Sequence, residues 1–197
     1  MVTARHTRTA APAFAALALV LMLAGCGGGD GDAKAPATTA PPTTSTTAPA
    51  PATSSADPET TEKKAVLAAY GSMWAEQMKA YGKADAKGTA LEKYASLDAL
   101  GQFRIDLARM KQAGTIGTGK LGHAPTVTML DMTGKLPKAT IEDCLDLSGW
   151  KAVRVKTGEP IPLPSNQPRR YIATATAEKW PQGWMVVTYA PEGARTC

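Results

Sequence analysis

The chain has 197 residues, a formal charge of +5, 44% hydrophobic and 20% charged residues, and three cysteines. That length fits one domain of about 100–200 residues. The averages exclude a polytopic membrane protein, a fully disordered chain and a disulfide-dense mini-protein, and the mild positive balance demands no nucleic-acid partner.

Three unlike pieces follow one another. In residues 1–25, Arg5, His6 and Arg8 make a basic head without an acid, and Ala10 to Leu23 are uncharged and mostly apolar. A spanning helix needs about 20 apolar residues, so this shorter run is predicted to be the core of a signal peptide. A buried domain helix does not fit, because a glycine-rich and then Pro/Thr-rich stretch comes next. Leu23-Ala24-Gly25-Cys26 closes the run and resembles the lipobox of bacterial lipoproteins. The resemblance implies diacylglycerol on the Cys26 thiol, cleavage before Cys26, and a place on the outer face of the cell membrane. Two or three acyl chains at ~0.8 kcal/mol per buried CH₂ would make that attachment almost permanent.

Residues 26–56 read as a tether. A Gly/Asp run (Gly27 to Asp32) is followed by a stretch with only Lys34 outside Ala, Pro, Thr and Ser. Pro36, Pro41, Pro42, Pro49 and Pro51 favour extended polyproline-like backbone. Such a leash would lift a domain off a bilayer and into a cell-wall layer. Its threonines, Thr38 to Thr47, could carry O-linked sugar, and a bare spacer explains them at least as well.

Residues 57–197 hold 19 basic and 15 acidic side chains and are long enough for one core. With Cys26 lipidated, Cys144 and Cys197 remain, both on the oxidising side of the membrane, and a bridge between them is expected. Two free thiols or a redox couple is the alternative, although nothing CxxC-like activates either one. Asp57-Pro58-Glu59 reads as a helix start. Val66, Tyr70, Met73, Trp74, Met78 and Tyr81 then share one helical face, and Gly82 is the stop. A short helix is predicted around Thr89 to Ala95. A longer one runs from Leu97 to Ala113, with Leu100, Phe103, Leu107 and Met110 in a stripe and Gly114 ending it.

Strand signals take over after that. The expected strands are Pro125–Met132, Lys138–Leu147, Trp150–Thr157, Arg169–Lys179 and Gly183–Ala190, separated by Gly- and Pro-bearing turns. Helices first and hairpin-linked strands second predict an α+β domain, with N-terminal helices packed on a curved antiparallel β-sheet. Gly114 to Lys120 matches the GxxxxGK half of a phosphate loop. Leu121 stands where Ser or Thr should hold magnesium, and the element order is wrong, so a glycine-rich helix-to-strand connection is expected.

This organisation resembles the nuclear transport factor 2-like fold, a cone of helices laid into a bent sheet. Ile141-Glu142-Asp143-Cys144-Leu145-Asp146, Gly149-Trp150, Gly183-Trp184-Met185-Val186-Val187 and Cys197 are similar to the pattern of small surface lipoproteins and secreted proteins of actinobacteria. The resemblance implies a fold and no reaction, because this fold hosts cyclases, isomerases and pure binding modules. Ketosteroid-isomerase-like members place acids and a tyrosine inside the cone. The candidates here are Asp143, Asp131, Tyr70 and Tyr81, with Trp74 as a further wall.

On a strict alternation Asp143 shares a face with Ala139, Ile141, Leu145 and Leu147, which would bury it and suit an acid or base. A strand bulge or a solvated edge position is the commoner explanation. His123 is the only histidine left after signal cleavage. No convincing nucleophile pair and no metal-ligand cluster stands out, and no cofactor is implied.

Lys151, Arg154, Lys156, Arg169 and Arg170 are expected along two neighbouring strands. They could meet anionic headgroups or wall polymer, and a solvated face is the commoner explanation. The stretch from Gly158 to Pro168, with Pro160, Pro162, Pro164 and Pro168, is expected to stay out of any ladder. Together these features predict a membrane-anchored binding or scaffolding module. Its partner would be cell-wall polymer or an envelope protein, with an isomerase- or cyclase-like enzyme as the alternative.

Overall fold

The computed structural model describes residues 57–197. The expected signal peptide (1–25), the expected tether (26–56) and Cys26, the expected lipid-attachment residue, lie outside the described residues. Among the described residues, no helix is long and apolar enough to cross a membrane.

The first helix, α1 (Pro58–Tyr81), starts as its sequence predicts. The Asp57 carboxylate accepts from the Thr60 backbone N–H at 3.1 Å, and Pro58 fills the first turn. Val66, Tyr70, Met73, Trp74, Gln77 and Ala80 are its buried residues, so the apolar face is the one that packs. The short helix expected near Thr89 is a single 3₁₀ turn, Leu91–Lys93. Helix α2 (Leu97–Ala113) ends at Gly114 with φ 63°, a left-handed conformation that glycine adopts without a Cβ penalty. It buries Ala99, Phe103 and Leu107.

Two antiparallel sheets follow where one was expected. The larger runs β2 (Pro125–Asp131), β3 (Lys138–Asp146), β6 (Arg170–Trp180) and β7 (Gly183–Glu192), in that spatial order. The smaller joins β1 (Thr115–Gly119), β4 (Trp150–Arg154) and β5 (Pro160–Ile161). The architecture is α+β, with helices packed on antiparallel sheet. Irregularities at Val127/Met129 and at Thr176/Ala177 bend the larger sheet. Small residues on its inner face, Ala139 on β3 and Ala173, Ala175 and Ala177 on β6, are all buried. They leave room for Tyr70, Met73 and Trp74 of α1, which join the same buried cluster. Each large apolar side chain buried this way stabilises by about 1.5–3 kcal/mol. Residues 57–197 therefore contain a complete core and both halves of the Cys144–Cys197 bridge.

Several expectations need correction. The Gly114–Lys120 stretch is not a connection but strand β1, paired residue for residue with β4 from Thr115↔Arg154 to Gly119↔Trp150. Alternating threonine and glycine hid it, because glycine supplies no apolar period. At Gly117 an added Cβ would come within 2.9 Å of Trp150 Nε1, so only hydrogen lets the indole lie against this strand. The proline segment does join a ladder: Pro160 pairs with Val153 and Ile161 with Ala152. It does so at the sheet's edge, where proline's missing N–H costs nothing. Strand β4 ends at Arg154, short of Thr157, because the chain turns and Gly158 N–H donates to Arg154 O. The basic residues are consequently split, with Lys151 and Arg154 on one sheet and Arg170 on the other.

The acid limb of stability comes from clamps between elements. Glu62 of α1 accepts from Trp184 Nε1 at 2.9 Å and from Lys179, tying the helix to the β6–β7 hairpin. Glu178 accepts from Lys138 and from Trp180 Nε1. These donors hold both carboxyls below the ordinary glutamate range, Lys179 first for Glu62 and Lys138 first for Glu178. Burial instead pushes the Tyr70 and Tyr189 phenols well above the ordinary tyrosine range.

The signs differ. A lowered carboxyl stabilises above its unfolded pKa of roughly 4.3, and that stability is lost as pH falls. A raised phenol stabilises below its unfolded pKa of roughly 10, and that stability is lost as pH rises. The melting temperature is expected to be flat between about pH 5 and 9, to fall on the acid side, and to fall above pH 10 together with tyrosinate absorbance. A phenol titration that precedes unfolding, with ordinary tyrosine behaviour, would contradict the burial.

Candidate functional site

Strand β3 alternates buried with half-buried residues without interruption after the exposed Lys138, so Asp143 faces inward with Ala139, Ile141 and Leu145 and is fully buried. The bulge or edge position expected for it is not found; the irregularity sits in the neighbouring strand β2. Three donors meet its carboxylate. Tyr70 Oη donates to Oδ2 at 3.0 Å, the Ala124 backbone N–H donates to Oδ1 at 2.7 Å, and His123 Nδ1 lies 2.7 Å from Oδ2.

A one-residue bridge places the histidine. Gly122 exchanges backbone hydrogen bonds with Asp146 at 2.9 and 3.0 Å, which sets His123 and Ala124 opposite Asp143. A Cβ on Gly122 would sit 2.9 Å from that of Asp146, so glycine is needed for the approach. The His123 ring also lies against Trp74, with centroids 5.0 Å apart, and meets Tyr70 edge-on.

Beside this cluster lies an aromatic chamber of about 290 Å³. Trp74 and Tyr81 of α1, Trp150 of β4, Tyr171 of β6 and Tyr189 of β7 form its walls, together with Leu121, Leu145 and Leu147. Asp106 of α2 stands at one wall and Gln167 at another. Trp74 and Tyr189 meet edge to face at 5.3 Å, and Tyr189 packs on Phe103 at 5.6 Å. Burial pushes the Tyr81 phenol up to about 12. All five of these aromatics bear a phenol or indole polar atom on a largely apolar lining, the composition of a small-molecule site.

Tyr70, Trp74 and Asp143 are brought together. Asp143 itself lines no cavity described here, because Tyr70, His123 and Ala124 enclose it. Tyr81 lines the chamber, whereas Asp131 is exposed and caps Thr133. Cys144 and Cys197 are bonded to each other. His123, Trp150, Tyr171 and Tyr189 were not singled out as site residues from sequence. Tyr171 was accessible to the two-residue alternation that also runs through Ala173, Ala175 and Ala177. Tyr189 was not, because the Thr176/Ala177 irregularity shifts β7 by one residue before it pairs with Ala175. Among the described residues no three His, Cys, Asp or Glu side chains group as metal ligands.

No family model and no curated protein matches the chain. Among solved structures, it is similar to the intermembrane space region of chloroplast protein ARC6, at 15% identity and a TM-score of 0.44 over 66% of this chain and 96% of that one. It is also similar to the Kfla4162 protein from Kribbella flavida, at 13% identity and a TM-score of 0.40 over 71% and 95%. A third is an NTF-2-like protein of unknown function from Shewanella oneidensis MR-1, at 15% identity and a TM-score of 0.30 over 64% and 97%. At such scores these likenesses carry no functional argument.

Proposed function

We propose that the chain is a surface lipoprotein, held on the outer face of the cell membrane through lipid on Cys26, whose nuclear transport factor 2-like domain binds a small apolar ligand. The observation that carries the binding half is the aromatic chamber of about 290 Å³, walled by Trp74, Trp150, Tyr171 and Tyr189. Its size lies at the lower end of the roughly 300–1,000 Å³ usual for small-molecule sites. The anchoring half is supported by Leu23-Ala24-Gly25-Cys26 at the end of a short apolar run.

Binding is favoured over catalysis by the state of Asp143. Asp143 is fully buried and enclosed by Tyr70, His123 and Ala124, so a substrate does not reach its carboxylate directly. A general base must reach the proton it abstracts.

Leu121 lies on the chamber wall and is half-buried, so Leu121→Trp would fill the space. An apolar fluorescent probe is expected to bind residues 57–197 and to lose at least tenfold in affinity for the Leu121→Trp variant. Equal affinity for both would remove the chamber as the site. For the anchor, Cys26→Ala in cells is expected to move the protein out of the membrane fraction. Unchanged membrane association would remove the lipid on Cys26 from the account.

A further inference from the structure

A second cavity, of about 340 Å³, lies between the β3–β4 turn and the proline segment, and its lining includes Lys151 and Arg169 and no acid. It shares Leu147, Trp150 and Gln167 with the aromatic chamber, so the two spaces meet across one wall. That wall is built by backbone. Leu147 O accepts from Trp150 N–H at 3.0 Å, closing the turn, and Leu147 N–H donates to Arg169 O at 2.8 Å. These bonds set Arg169 beside the point where the cavities join. The chamber is apolar and aromatic except for Gln167 and Asp106, and Asp106 belongs to the chamber alone. Unpaired positive charge is therefore concentrated at the proline end, whereas at the α2 end Asp106 is offset by Arg109 at 3.6 Å.

We propose that the two cavities form one site for a single-chain amphiphile with an anionic head, the head held by Lys151 and Arg169 and the apolar body lying in the chamber past Trp150. The proposal rests on the chamber being the ligand site and adds the chemical class of the ligand. Arginine offers a carboxylate or phosphate a two-pronged hydrogen bond, and lysine adds a point charge. Asp146, outside the lining, lies in the field of Arg169 and Arg170 and offsets part of this charge. Both cations are exposed, so the head's contribution should weaken with added salt.

Residues 57–197 are titrated with decanoate, decanol and decyltrimethylammonium, each below its micelle concentration. Decanoate is expected to bind at least tenfold more tightly than decanol, and decyltrimethylammonium no better than decanol. The Lys151→Glu/Arg169→Glu variant changes only exposed side chains. It is expected to erase the decanoate preference and to leave decanol affinity unchanged. Equal binding of decanoate and decanol would overturn the head assignment while leaving the chamber in place. Preference for the cationic amphiphile, or a preference for decanoate that survives the charge reversal, would overturn it too. No binding of any of the three would overturn both the head assignment and the chamber.

Discussion

Replacing Asp143 with alanine is expected to destabilise residues 57–197 by about 3 kcal/mol, because a fully buried acceptor shared by three groups is lost at once. The carboxylate is fully buried and accepts from a buried phenol and from the Ala124 N–H, with His123 Nδ1 at 2.7 Å. Its removal leaves the Tyr70 hydroxyl without its acceptor, and an orphaned buried polar group costs about 1–3 kcal/mol. It also loosens the segment around His123, which would keep the Gly122 bridge on one side and the start of β2 on the other. Tyr70→Phe provides the scale. It deletes one donor and keeps the other two, so about 1–2 kcal/mol is expected. Urea unfolding of the three proteins measures both numbers. An Asp143→Ala protein as stable as the parent would mean that the cluster is not a structural keystone, and its carboxylate would again be a candidate acid or base.

The second large effect belongs to the disulfide. Cys144 and Cys197 are 53 residues apart, and the bridge fastens Cys197 near the C-terminal end of β3. In the chain-entropy model, closing a loop of this size restricts the unfolded chain by about 4 kcal/mol. The paired Cys144→Ser/Cys197→Ser protein is expected to lose about that much, and the terminal segment after β7 should become the first site of proteolysis. The segment would keep local support from Arg195, which bonds Glu192 at 3.0 Å and Glu142 at 3.1 Å. A loss under about 1 kcal/mol would show that the reduced chain already restrains its own end.

Elements with strong local signals could be placed from sequence alone. Asp57-Pro58 and Gly114 mark helix ends by capping chemistry, which depends on a few adjacent atoms and on no tertiary partner. The inward face of β3 was also legible, since a strict two-residue period decides which side chains go in. Its consequence, a buried Asp143, ranks below a bulge or solvated edge on sequence alone, because whether a carboxylate tolerates burial depends on donors from elsewhere in the chain. Tyr70 is 73 residues away and His123 is 20. Strand β1 escaped for a related reason. Gly117 lets the Trp150 indole approach and Gly119 lets the Gly149 backbone approach, requirements visible only once both strands are placed. The chamber joins α1, α2, β4, β6 and β7 with the proline segment, and no local pattern announces such a meeting.

The chain contains four tryptophans, and they divide into two pairs that report on different places. Trp74 and Trp150 line the chamber, and their indole N–H groups have no hydrogen-bond partner. Trp180 and Trp184 lie on the β6–β7 hairpin, with their indoles bonded to Glu178 and Glu62. Amide and indole NMR spectra of ¹⁵N-labelled residues 57–197, recorded while decanoate is added, separate the two pairs directly. Binding in the chamber predicts that the Trp74 and Trp150 indole signals move with the titration, while those of Trp180 and Trp184 stay in place. Saturable binding that moves only Trp180 and Trp184, or that leaves all four indoles unmoved, would contradict the account.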